Sequence, residues 1–426
     1  MTYTQGLFDF IKSSPTAYHA VETVKAALTL AGYTEISEGD SLGFSDGGKH
    51  FVVRGGTSII AFRGRSDGGF MICASHSDSP TFKVKTEETA GPYLRLSTEK
   101  YGGMIYYSWL DRPLSVAGRV IVRTDSGVEC RTVNLDRDLL TIPSVAIHMN
   151  RGVNDGYKFN PATDMLPLFG AAASKDSLMR LVAEAAGTTP DNIVAHDLFL
   201  YNREEGRVFG ANDEFLITPR FDNLSSVYTS LVAFLATAEQ DKSVPVLAVF
   251  DNEEVGSSTK QGANSTFLDM TLRRIAGSEE KYASMLNSSL MVSLDCAHAR
   301  HPNHPELSDP KMCPVLGEGL VVKYNAAQHY TTDGLSDGIF REMARRAGIK
   351  LQSYSNRADQ PGGSTLGSIA NTKVSVMTVD VGLPQLAMHS ATECGAVADI
   401  SDTISVLREM YSSAIKVSGG RYDIVK

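Results

Sequence analysis

The sequence predicts an α/β protein: a mostly parallel sheet flanked by helices, interrupted by an inserted β-rich segment. Three observations predict it. Nearly continuous apolar runs alternate with helical patterns before and after the middle of the chain, as strands covered on both faces do. From about Tyr93 to Met149 the texture changes to short alternating segments broken by turn residues. The 426 residues are 42% hydrophobic and 21% charged, an ordinary globular composition. At about 150 residues per domain this is room for roughly three domains.

Each element has its own signal. Ala17 to Leu30 places Tyr18, Val21, Val24, Ala27 and Leu28 on one helical face, and Gly32 supplies the stop. The short apolar runs Ser58 to Phe62 and Phe70 to Ala74 read as strands. In the altered middle, Arg119 to Arg123 alternates and Thr124-Asp125-Ser126-Gly127 turns, which predicts antiparallel structure. After about Thr218 the first rhythm returns. Leu224 to Ala238 predicts a buried helix, and Val244 to Phe250, Leu290 to Leu294 and Val374 to Val381 predict strands. Ser336 to Ala347 makes a helix with Gly348 behind it, and Ile400 to Lys416 is expected to close the chain as a helix.

Charge and cysteine usage narrow the function. Asp and Glu outnumber Lys and Arg by 49 to 40, a net charge of −9. That balance speaks against nucleic acid or an anionic membrane as partner. Five scattered cysteines without a CxxC pair read as reduced thiols of a cytoplasmic protein, not as a disulfide framework or a cysteine zinc site. Met1 to Pro15 lacks a basic stretch followed by an apolar core, so no secretory signal is expected there. Runs such as Leu231 to Ala236 are too short to span a bilayer.

The chemistry gathers at element ends. Asp251-Asn252-Glu253-Glu254 follows the strand Val244 to Phe250, at the carboxyl end where open α/β sheets place ligands. Two unit charges about 4 Å apart repel by about 4 kcal/mol at an effective dielectric near 20, so such a cluster calls for water, a proton or a cation. His76 and Asp78 follow the strand Phe70 to Cys73, a spacing that suits a ligating imidazole with a carboxylate to orient it. Asp295 follows Leu290 to Leu294, His389 lies after Val374 to Val381, and Asp222 stands just before an apolar helix. Oxygen and nitrogen donors without thiolate fit catalytic zinc, cobalt or manganese, and five of them with one shared would hold a two-metal site. His298, His301 and His304 are spaced three apart, but Pro302 and Pro305 break any helix, so they read as loop residues shaping a site. Phosphate loops, HExxH and GxSxG are absent. Gly362-Gly363-Ser364-Thr365 reads as a plain loop, and Trp109 as packing.

Taken in order, His76-x-Asp78, Phe221-Asp222-Asn223, Asp251 to Ser257, Asp295-x-Ala297-His298-Ala299-x-His301-Pro302-Asn303 and Met388-His389-Ser390 resemble the aspartyl aminopeptidase family of dinuclear zinc peptidases. The resemblance extends to Ser14-Pro15 with Tyr18-His19-Ala20, and to Trp109-Leu110-Asp111-Arg112 and Ala117 to Val120. It implies a zinc-peptidase fold, with residues 1–85 and 216–426 as the catalytic domain and 86–215 as an inserted β-rich dimerisation domain. It implies two Zn2+ per subunit, replaceable by Co2+ or Mn2+. Asp222 would bridge, His76 and Asp295 would complete one site, and Glu254 and His389 the other. Glu253 would be general base and acid, and Asp78 would support His76. His148, in Ala146 to Arg151, would reach a neighbouring subunit's site in a tetrahedral dodecamer built from dimers. Lys323 would pair with an acidic N-terminal side chain of short peptide substrates, with Met388 and Asp359 also at the substrate. Two other readings compete: a metal-dependent deacylase on the same core, and a non-catalytic peptide-binding shell, which would have no need of Glu253.

Overall fold

In the computed structural model the described residues are 2–40, 44, 47–64, 67–238, 241–360 and 362–426. Nine strands make the main sheet, and its four central members are parallel: Val244–Phe250, Phe70–His76, Leu290–Leu294 and Met377–Gly382, side by side in that order. Every residue of the first three is buried. Their apolar runs do not alternate because both faces are covered. Met71 and Cys73 join the core beneath the helices Tyr3–Lys12, Phe221–Ala236, Gly334–Ala347 and Val397–Tyr411. Phe70, Ile72 and Ala74 join the opposite core, under Phe267–Ala276 and Glu279–Asn287. The fold is therefore the expected mixed α/β one, with a large mostly parallel sheet flanked by helices.

A second sheet of six strands, antiparallel throughout, runs Gly127–Asn134, Leu114–Thr124, Ile193–Asn202, Thr81–Ala90, Tyr93–Tyr101 and Leu168–Ala171. It packs its own core around Phe82, Val116, Val120 and Leu198. Trp109 belongs to that core, edge-on to Phe82 at 5.3 Å between ring centres. Three strands of this sheet lie outside the stretch whose texture changed: Leu168–Ala171 follows it, and Thr81–Ala90 and Ile193–Asn202 pair from either side of it. Between residues 143 and 167 the chain runs as turns rather than strands, exposed for most of its length until Met165 enters that core.

Three boundaries differ from expectation. The closing helix is Val397–Tyr411, and the chain then turns back as the hairpin Ala414–Ser418 with Arg421–Val425. Gly419 and Gly420, at φ +56° and +80°, make the two-residue turn that a helix through Lys416 overlooks. The strand expected from Val374 begins at Met377, because Val374 still bonds back to Ala370 of the preceding short helix. The buried helix begins at Phe221, although Asp222 and Asn223 keep non-helical backbone, so Asp222 does stand before the regular helix. Among the described residues no helix is long and apolar enough to cross a membrane.

Candidate metal centre

The central strands deliver their chemistry at one end. His76 is the last residue of Phe70–His76, and the parallel register sets it beside Phe250. Asp295 follows Leu290–Leu294 directly, its N–H held by Val381 at 2.9 Å. Beyond Phe250 the chain turns sharply: Asn252 adopts φ +62°, and Glu253–Val255 form a single helical turn. His389 is itself at φ +66°, in a turn closed by Ser390 N–H on the Ala387 carbonyl.

These turns bring five side chains together. His76 Nε2 lies 3.5 Å from Asp295 Oδ1 and 3.7 Å from Asp222 Oδ1. His389 Nε2 lies 3.4 Å from Glu254 Oε2 and 3.7 Å from Asp222 Oδ2. Asp222 thus offers one oxygen to each histidine, and Oδ1 is buried without a hydrogen-bond partner. Ligand atoms of His76, Asp222 and Glu254 all lie within 4.8 Å of one another. An unpartnered buried carboxylate oxygen among imidazole and carboxylate donors fits a divalent cation, and the absence of thiolate fits catalytic rather than structural zinc.

Electrostatics agrees. Burial, reinforced by Asp295, pushes Asp222 up to about 6. Burial also raises Glu253 to about 8, with His76 opposing and Asp295, Asp78 and Asp222 adding to it. Glu254 rises well above the usual carboxylate range through burial and then the Asp222 charge. Against its burial, the Lys323 ammonium and His76 hold Asp295 below that range. So many carboxylates cannot all ionise unaided, and a bound cation removes the conflict.

Around them sit the groups that orient the donors. The Asp78 carbonyl accepts from His76 Nδ1 at 3.1 Å, and its carboxylate takes the N–H groups of Glu253 and Glu254 at 3.1 and 3.2 Å. Glu393, 2% exposed, was not singled out from the sequence; its two oxygens accept from the N–H of Asp222 at 2.8 Å and of His389 at 2.7 Å. Its position four residues after His389 was the only available signal. Gln385 Nε2 donates to Asp222 Oδ2 at 3.3 Å.

A cleft of about 200 Å3 opens over the centre, lined by Glu253, Lys323, Tyr330, His298 and Met388 as well as the donors. Lys323 is only 2% exposed, so it is no surface lysine. Its ammonium donates to the Asp295 and Cys296 carbonyls at 2.8 and 3.2 Å and lies 3.4 Å from Asp295 Oδ2. Burial and then Lys323 lower the pKa of His298. His301 and His304 remain on the exposed loop, and among the described residues they join no metal-type cluster. Asp359 departs from expectation: it is exposed, its carboxylate is 2.7 Å from Arg357, and it does not line the cleft. His148 is exposed on the 143–167 turns and does not line the cleft of its own chain.

A parallel sheet whose strand ends and adjoining turns present imidazole and carboxylate donors, with a further carboxylate free beside them, defines a metallohydrolase. Comparison with known proteins gives the particular kind. Residues 10–411 match the family described as Aminopeptidase I zinc metalloprotease (M18). A probable M18 family aminopeptidase 2 of Clostridium acetobutylicum is 42% identical over 415 residues, covering 93% of this chain and 96% of that protein. Its counterpart in Pseudomonas aeruginosa PAO1 is 37% identical over 422 residues, covering 96% and 98%. Among solved structures, a chain of the Ape4 and Nbr1 complex superposes with a TM-score of 0.93 at 33% identity, covering 96% of this chain and 85% of that one. The Saccharomyces cerevisiae mApe1 dodecamer gives a TM-score of 0.83 at 26% identity, covering 96% of each chain. The chain belongs to the M18 family of zinc metallopeptidases, and its activity is that of a metal-dependent aminopeptidase.

Proposed function

We propose that the protein removes N-terminal residues from short peptides, preferring Asp or Glu, at a centre of two zinc ions. The observation that carries this reading is the Asp222 carboxylate, with one oxygen 3.7 Å from each histidine. Asp222 is then shared, with His76 and Asp295 on one side and Glu254 and His389 on the other. When bound, such ions would supply Lewis acidity and a water acidic enough to act near neutral pH, and Co2+ or Mn2+ can be held by the same mixed nitrogen and oxygen donors.

This chain's residues do the rest. Glu253 takes the proton from the attacking water and delivers it to the leaving amine, a role typically worth about 10²–10⁴-fold. Asp78 holds His76 and the Glu253 turn in register. The carboxylate surplus of the cleft attracts the substrate's α-ammonium, which favours an aminopeptidase over an endopeptidase. Lys323 is the cation lining the cleft and pairs with an acidic first side chain, while Met388 lines the cleft beside it. His148 comes from a neighbouring subunit to the developing oxyanion, a contact of a kind worth about 10²–10³ in rate. Val145, Ile147 and Met149, 55%, 48% and 82% exposed around it, are an apolar patch that a second copy would cover. The dodecameric mApe1 supports a homo-oligomer. In this reading the six-stranded sheet is the dimerisation module and the assembly is a tetrahedral dodecamer.

The test is release from aminoacyl anilides of Asp, Glu, Ala, Leu and Lys, after chelation and after return of zinc. Zinc should restore activity, greatest on Asp and Glu. Glu253→Gln should keep its zinc and lose about 10²–10⁴-fold in kcat, and Lys323→Met should lose more on Asp and Glu than on Ala. Restored release from neutral residues alone overturns the acidic preference. Cleavage of N-acyl amino acids but not of anilides would favour the deacylase, and full activity of Glu253→Gln would defeat the mechanism.

A further inference from the structure

On leaving the six-stranded sheet at Tyr101, and before the helical turn Tyr106–Trp109, the chain crosses directly over the metal centre. Successive residues meet different members of it. Tyr101 Oη donates to Asp78 Oδ2 at 2.7 Å and accepts from Asn252 Nδ2 at 2.8 Å. Asp78 is the residue on which the His76 imidazole and the N–H groups of Glu253 and Glu254 all lean. Gly102, at φ +77°, lies so close to Glu254 that a Cβ there would come within 3.1 Å of the Glu254 Cβ. The Gly103 carbonyl is 2.6 Å from His389 Nδ1, and Ile105 N–H donates to the His389 carbonyl at 3.0 Å.

The chemistry of these partners fixes both imidazoles. A carbonyl only accepts, so the Gly103 carbonyl places a proton on His389 Nδ1, and the Asp78 carbonyl does the same on His76 Nδ1. In both rings Nε2 is then the nitrogen turned toward the carboxylates and the one open to a metal. We infer that the segment Tyr101–Ile105 is the element that positions both histidine donors. Tyr101 acts as a positioning residue through Asp78 on the His76 half, and the Gly103 carbonyl acts on the His389 half. This rests on the proposed metal centre and adds that the centre is completed by the inserted sheet: the strand Tyr93–Tyr101 carries its outer support, so metal affinity follows the placement of that sheet.

The experiment uses the full-length enzyme with Tyr101→Phe, which keeps the ring against Phe199. Thr132→Val is the control, because it breaks another contact of the inserted sheet, Thr132 Oγ1 to Glu22 at 2.9 Å, which involves no residue of the metal centre. Zinc affinity is read by competition with a chromophoric chelator, alongside kcat, KM and the melting temperatures of the metal-free and zinc-loaded forms. Tyr101→Phe should bind zinc about 10–100-fold more weakly, as loss of an outer-shell partner does. Its kcat should fall with KM kept, and its metal-free melting temperature should be that of wild type. Thr132→Val should match wild type in zinc affinity. Unchanged zinc affinity in Tyr101→Phe, or equal weakening in both variants, overturns the inference. Failure of the wild-type protein to take up zinc would instead overturn the metal centre itself.

Discussion

The two halves of the proposed metal centre are built by different means. His76 and Asp295 stand at the ends of two neighbouring buried strands, and His76 is 1% exposed. Backbone hydrogen bonds of a nine-stranded sheet fix where they lie. Glu254 and His389 come from turns with left-handed residues, and the His389 side chain is 31% exposed. Their positions depend on contacts from elsewhere in the chain, namely Asp78 on the Glu254 N–H, Glu393 on the His389 N–H, and Gly103 and Ile105 around the imidazole and carbonyl. Secondary structure preorganises one half, and tertiary contacts preorganise the other. The first should therefore hold its metal with little adjustment, while the second depends on several separate turns, and its His389 is partly exposed.

Asp222 is the only donor common to both halves, so its removal is the most damaging change. Asp222→Ala should lower activity to that of the chelated enzyme and abolish zinc-dependent stabilisation, measured as the melting-temperature difference with and without zinc. If Asp222→Ala retains one tightly held zinc, the halves are independent and the comparison fails. Next in size are the single-half changes. His389→Ala should retain zinc in the His76 half and lose the other ion to a weak chelator. His76→Ala should weaken zinc binding more, because its neighbours are already fixed around a vacant position. Each should cost at least the 10–100-fold in affinity that an outer-shell loss does. Metal analysis across a chelator series checks the order, and earlier release from the His76 half would reverse the argument.

The same contrast explains what could be read from the sequence. His76, Asp251 and Asp295 follow apolar runs that the structure places as Phe70–His76, Val244–Phe250 and Leu290–Leu294, because a strand end is a local pattern. The helix stop at Gly348 is local as well, with the glycine at φ +73°. What supports the His389 half is not local. Gly103 is 286 residues from His389, and Glu393 is 171 residues from Asp222. Nothing near Gly103 marks it, and Glu393 has only its place four residues after His389. Lys323 shows the same limit: a lysine flanking a strand is ordinarily solvated, and only the three-dimensional approach of Asp295 and Cys296 makes it a buried cation. The hairpin after Tyr411 was missed for a different reason, since Ile415 and Val417 continue an apolar pattern whose period had changed from helical to alternating.

The smallest expected effect separates stability from the metal centre. Asp333 follows the Lys323 segment in sequence, so its carboxylate could be supposed to act on substrate choice. In the structure it is exposed and caps the helix Gly334–Ala347: Oδ1 accepts from Leu335 and Ser336 N–H at 3.0 and 2.8 Å, and Ser336 Oγ accepts from the Asp333 N–H at 3.0 Å. Asp333→Ala removes that box and should cost about 1 kcal/mol of stability, within a range of roughly 0.5–2. Denaturant unfolding of the zinc-saturated protein measures it. Because the cap touches neither half of the centre, zinc affinity in both halves and the ranking of Asp over Ala substrates should stay as in the wild type. A changed ranking would mean that the helix start, and not Lys323 alone, shapes the cleft. A changed affinity in the His76 half would mean that the Lys323 strand transmits strain to Asp295, and the sheet-built half would then be less self-sufficient than its strands suggest.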